Sequence, residues 1–180
     1  TKNGMAVRFD ESQVRSVGRV ARGVRGVSLK NETDKVISCE VVNNDDSILV
    51  VCENGFGKRS LVEDFRQTNR GGLGVRSIIT SDRNGLVVAA LSVCDSDGVL
   101  LMSASAQAVR IPMNDVRVMG RSTQGVRLVN LKDENDLIVG AQKIEAVDEV
   151  TTPQEEKQEI VEQKLPEEIS EEITPDEPTE

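Results

Sequence analysis

Residues 15–27 read RSVGRVARGVRGV, and the stretch returns as RQTNRGGLGVRSI at 66–78 and as RVMGRSTQGVRLV at 117–129. Arg15, Arg66 and Arg117 stand 51 residues apart, as do Arg19, Arg70 and Arg121, Gly23, Gly74 and Gly125, and Arg25, Arg76 and Arg127. One unit is therefore written three times.

Working outward, the same register holds from Asn3 to Ile144. Val36 to Val42 (VISCEVV) matches Val87 to Val93 (VVAALSV) and Ile138 to Ile144 (IVGAQKI), and Ile48 to Cys52 matches Val99 to Ser103. A period of this size without helical apolar spacing points to an all-β, propeller-like array of small antiparallel sheets. Each unit is expected to supply four short strands, as at Val36–Val42, Ile48–Cys52, Phe56–Leu61 and Gly74–Ile79. Asn54-Gly55 makes a tight turn before the third, because this pair tolerates the positive φ of a hairpin turn. The units run over residues 3–53, 54–104 and 105–147. The first enters at the hairpin turn, so the chain reads as a portion of a longer repeat array, whose end units need a cap, ring closure or a partner to cover apolar surface.

Charge divides the chain in two. Asp148 to Glu180 holds 13 acidic and 2 basic residues, out of 31 and 22 in the whole chain, so residues 1–147 carry a net charge of +2. Proline and glutamate dominate this acidic tail, and its composition predicts disorder, since like-charge repulsion and poor burial do not offset ordering entropy. A tethered polyanion of this kind is expected to compete with any other anion for basic groups on the body.

Catalytic constellations are nearly absent. Without histidine there is no Ser/His/Asp or Cys/His arrangement, and without tyrosine no tyrosyl nucleophile. Asp45-Asp46 and Asp95-Ser96-Asp97 precede strands and read as polar turns. Asn69 to Gly74 is glycine-rich but lacks both the pattern and the setting of a nucleotide loop. Cys39, Cys52 and Cys94 lie in apolar runs and are expected to be buried free thiols of a protein in a reducing compartment.

The arginines remain. They fall in three sets: Arg8, Arg15, Arg19 and Arg25, with Arg22 beside them; Lys58, Arg59, Arg66, Arg70 and Arg76; and Arg110, Arg117, Arg121 and Arg127. In a radial array these positions recur around a rim, where a DNA duplex would meet them at intervals through its phosphates. Arg8, Arg59 and Arg110 have apolar neighbours in alternation and are expected to point outward to phosphate. Arg19, Arg70 and Arg121 are equally suited to bracing loops, because the guanidinium fork makes several directed hydrogen bonds. Gly23, Gly74 and Gly125 are expected at sharp turns. Repeats alone also fit a propeller-type protein-interaction scaffold.

The strings GRVARGVRGV, NGFGKRSLVEDF, SDRNGLVVAA, VRIPMNDVRVMGRSTQGVRLV and DENDLIVGAQKI, in this order, resemble the carboxy-terminal domain of bacterial DNA gyrase A. The resemblance runs from Asn3 to about Glu149. It implies the last half of a β-pinwheel, whose blades exchange a strand with their neighbours and whose basic perimeter wraps double-stranded DNA. It also implies a non-catalytic module of a cytoplasmic, nucleoid-associated A2B2 enzyme, formed with gyrase B and the rest of gyrase A. That enzyme introduces negative supercoils, with ATP and Mg held by other parts and no cofactor or metal here. The hallmark box QRRGGKG is absent, and Thr68 to Gly74 (TNRGGLG) matches it only at Arg70, Gly71, Gly72 and Gly74. The equivalent domain of a topoisomerase IV C subunit is a weaker resemblance.

Overall fold

A computed structural model describes residues 1–133 and 135–144, which fall within one compact unit, Thr1–Val147. The acidic tail and its expected disorder lie outside the described residues. Among the described residues nine strands form three antiparallel sheets: β1 (Met5–Ala6), β2 (Ser47–Cys52), β3 (Phe56–Leu61), β4 (Val75–Arg76), β5 (Val87–Val93), β6 (Gly98–Ser103), β7 (Ala108–Pro112), β8 (Val126–Arg127) and β9 (Ile138–Ile144). The central sheet runs β5-β2-β3-β8, the last sheet β7-β6-β9, and the first is the pair β1-β4. Single turns of 3-10 helix at Glu11–Gln13, Val62–Asp64 and Met113–Asp115 keep the 51-residue spacing.

Alternation along β2 explains how the sheets stack. Successive side chains of a strand point to opposite faces. Leu49 and Val51 enter a core with Val99, Leu101 and Met113, whereas Val50 and Cys52 enter a second core with Ile78 and Val87. The central sheet is thus apolar on both faces, as a middle layer between blades requires. Burying each such side chain is worth about 1.5–3 kcal/mol.

Strands are exchanged between repeats. β8 comes from the repeat after the β2-β3 hairpin, yet it pairs with β3 through Phe56↔Arg127 and Gly57↔Val126. β4 meets β1 in the same way one repeat earlier, through Met5↔Arg76 and Ala6↔Val75. The fourth strand expected at Gly74–Ile79 is therefore only two residues long, and Ser77 and Ile78 continue as amides donating to the Gly4 carbonyl.

Two expectations are corrected. Val36–Val42 forms no strand, although β5 and β9 at the matching positions do. β5 pairs with β2 and β9 with β6, whereas no strand among the described residues pairs with Val36–Val42. Without a ladder, Val36 and Val41 are exposed. Of the three free thiols only Cys52 is buried. Burial pushes its pKa up to about 12. Cys39 lies in the unpaired segment, and Cys94 sits past the end of β5 in a turn beside Ser96. The aspartate turns are as expected, with the Asn43 amide donating to Asp46 and the Cys94 amide to Asp97.

Candidate nucleic-acid interface

The repeated arginine stretch is a strap laid along the edge of the preceding hairpin. Gln67 bridges to Arg8 and Val118 to Arg59, both in parallel, and the next amides, of Thr68 and Met119, donate to the Arg8 and Arg59 carbonyls at 2.8 Å. After a loop the chain returns to the same edge as β4 or β8. Glycine makes the return feasible. Gly74 and Gly125 have φ of 75° and 81°, and a Cβ on either would collide with a backbone carbonyl oxygen, that of Ala6 or Gly57.

The strap sets each arginine's surroundings. Arg15, Arg19, Arg25, Arg66, Arg76, Arg110 and Arg117 are exposed, and among the described residues their side chains hold no hydrogen bond or ion pair. Arg66 and Arg76 flank one strap loop, and Arg117 and Arg127 the next. On the β3 edge Arg127 faces Phe56, whereas Val118 beside Arg117 faces Arg59, three residues along, or about 10 Å at the usual strand rise. Solvated guanidiniums at the two ends of each strap can meet phosphates without breaking bonds that hold the fold.

Other members of the series hold the fold together. Arg59 is turned inward at 6% exposure: its Nε donates to Ser47 Oγ at 2.5 Å, Nη1 to the Met113 carbonyl at 3.0 Å, and Nη2 pairs with Asp95. Arg8 reaches the matching turn one repeat earlier, with Nη1 on the Val62 and Phe65 carbonyls and Nη2 on Asn44 Oδ1 at 2.7 Å. The expected outward orientation is thus corrected for these two, because the next repeat's 3-10 turn presents carbonyls that accept one amide each and have a second lone pair for the guanidinium. Arg110 does point outward. Arg70 and Arg121 brace the straps: Nε donates to the Gln13 or Asp64 carbonyl, and Nη1 to the Arg25 or Arg76 carbonyl.

Lys58 is fully buried, and its Nζ donates to the Gly120 carbonyl at 2.8 Å. Burial pushes its pKa down to about 8, with Asp64 opposing that shift and Arg121 adding to it. Above pH 8 the folded chain releases a proton that the unfolded chain keeps until about pH 10.4, so stability rises with pH in this window. The neutral amine still donates to Gly120. Urea titrations between pH 8 and 10 should show the parent gaining on the order of 1 kcal/mol per pH unit relative to Lys58→Met. Parallel curves for the two proteins would contradict the shift.

A residue not singled out in the arginine series also belongs here. Arg83 stands over the Phe56 ring at 4.7 Å from its centroid, and Arg127 stands over the same ring at 4.9 Å. The signal for it was a departure from the repeat: the positions 51 residues away hold Glu32 and Glu134.

Comparison with known proteins agrees with this architecture. The family described as DNA gyrase C-terminal domain, beta-propeller, matches residues 1–43, 46–94 and 99–145. The DNA gyrase A protein of Chlamydia pneumoniae is 62% identical over 160 residues, covering 87% of this chain and 19% of the relative. That of Chlamydia trachomatis serovar D is 66% identical over 144 residues, covering 80% and 17%. The chain therefore spans about a fifth of the length of these curated relatives. A solved gyrase A C-terminal domain superposes with a TM-score of 0.72 at 32% identity, over 79% of this chain and 48% of that one. The C-terminal domain of a DNA topoisomerase IV gives 0.74 at 30% identity, over 81% and 45%. With three repeats joined by two strand exchanges and a family match along nearly all of the described residues, the chain belongs to the family of DNA gyrase C-terminal β-propeller domains.

Proposed function

We propose that the chain binds double-stranded DNA without sequence preference along its arginine-bearing straps, and that in an A2B2 gyrase it supports DNA wrapping and negative supercoiling. The observation that carries this reading is the repetition of exposed arginines without carboxylate partners among the described residues at both ends of successive straps, Arg66 and Arg76 followed by Arg117 and Arg127. Such a row meets phosphates, which fix position and bend DNA but carry no base information. Gyrase B, the rest of gyrase A, ATP and Mg belong to the remainder of that enzyme, in the cytoplasm at the nucleoid.

The test is a salt titration of duplex affinity for the parent and for Arg66→Gln/Arg117→Gln. Two lost phosphate contacts should lower the slope of log K against log salt by about 1.8 and weaken binding about tenfold near 100 mM salt. A protein-interaction scaffold would show weak binding in the parent and no change of slope.

A further inference from the structure

We infer that Phe56, Arg83 and Arg127 form a phosphate clamp on the central sheet, a site that takes two backbone phosphates of one duplex. The inference rests on the DNA-binding reading above and adds to it a site with its own geometry.

Two guanidiniums share one ring. With their central carbons 4.7 and 4.9 Å from the Phe56 centroid, they lie within about 10 Å of each other. Like charges held this close repel, and the ordinary remedy inside a protein is an intervening carboxylate. Among the described residues neither arginine has an ion pair. Their acceptors are neutral amides: Arg83 Nη1 donates to Gln124 Oε1 at 3.4 Å, and Arg127 Nη1 to Asn130 Oδ1 at 3.2 Å. A guanidinium carries five N–H donors, so most of each fork is free for oxygen acceptors of a ligand. Arg59, whose fork is filled by Ser47, Met113 and Asp95, shows what a purely bracing arginine looks like in this fold.

The ring supplies pre-organisation. Phe56 is itself almost wholly covered, at 5% exposure, and is fixed in β3 opposite Arg127. A flexible cation stacked on a fixed ring loses less rotamer freedom on binding than one in open water. A span of up to about 10 Å suits two phosphates of one duplex, whose strands carry a charge every 3.4 Å and face each other across a minor groove about 6 Å wide.

The combination occurs once in the chain. At 51-residue spacing Phe56 is replaced by Met5 and Gln107, and Arg83 by Glu32 and Glu134. Met5 pairs with Arg76 as Phe56 does with Arg127, so the first strap keeps one cation where the second has two. The clamp is thus a denser anchor point within an otherwise even row.

Anisotropy of a labelled duplex of about 40 base pairs, titrated with the full chain over a range of salt, tests the site. Arg83→Gln and Arg127→Gln should each lower the salt slope by about 0.9 and weaken binding severalfold, more than Arg22→Gln, which touches no ring. Phe56→Leu leaves the charge unchanged, yet should weaken binding about threefold, an effect that disappears when both arginines are already glutamine. Parent-like binding by Arg83→Gln and Phe56→Leu, with Arg66→Gln/Arg117→Gln still impaired, would overturn the clamp alone. If that pair also binds like the parent, the DNA-binding reading itself fails. Should circular dichroism show Phe56→Leu unfolded, the two exposed arginines decide: reduced slopes in both support the clamp, and parent slopes overturn it.

Discussion

Gly125→Val should cost about 4 kcal/mol or more and detach the strap from the central sheet. Two penalties act at once. The backbone at Gly125 has φ of 81°, a region that β-branched residues all but avoid, and the new Cβ would run into the carbonyl oxygen of Gly57. That oxygen belongs to β3, which is buried from Phe56 through Ser60 and laddered to β2, so neither partner can yield. Moving the strap instead gives up the Val126 pairing and the Leu128 and Val129 amides that donate to the Gly55 carbonyl. Gly120 is the control. It lies in the same loop, has no positive φ, and a Cβ there would meet nothing within 4 Å. Gly120→Ala should stay within about 0.5 kcal/mol of the parent. Urea unfolding followed by circular dichroism measures both, and amide exchange at Leu128 and Val129 reports the strap locally. A Gly125→Val protein within about 1 kcal/mol of the parent would show that the strap does not depend on this turn.

The repeat made most of this fold legible. Because equivalent residues recur at one spacing, the hairpin β2-β3 in one register predicted β6-β7 in the next, and the positive-φ glycines followed from the same alignment. What local sequence could not convey was pairing between repeats. Val36–Val42 has the composition of β5 but no strand is laddered to it among the described residues, and β propensity expresses fit to a pleated partner more than a property of the segment alone. Cys39 is exposed for the same reason.

The arginine sites divide along the same line. Exposure of Arg66 and Arg117 was readable, since polar strap residues have nothing apolar to cover. The inward turn of Arg59 was not. Alternation sorts side chains when only one face of a strand is buried, and β3 is buried without interruption from Phe56 to Ser60. The partner that settles its direction, the Met113 carbonyl, is 54 residues away in sequence, and Arg8 finds Val62 at the same separation.

That separation leads to the second large effect, a contrast between two arginines that the repeat makes equivalent. Arg59→Ala should lose about 3 kcal/mol of stability, and Arg110→Ala less than about 0.5. Removing Arg59 takes one of two donors from the Met113 carbonyl, which keeps the Val116 amide, empties the buried space of the side chain and deprives Ser47 Oγ of one partner, while Asp95, 82% exposed, simply rehydrates. The rehydration keeps the cost below that of breaking an ion pair buried on both sides. Arg110 has no such carbonyl to lose and is exposed on β7, whose outer edge carries no strand among the described residues. For DNA affinity the order reverses. At equal folded fraction Arg110→Ala should lower the salt slope by about 0.9, whereas Arg59→Ala should leave it near the parent value. Measured together, unfolding and salt slope separate bracing from phosphate contact. An Arg59→Ala chain that folds as well as the parent but loses affinity would return this residue to the DNA-binding face, against the geometry of its hydrogen bonds.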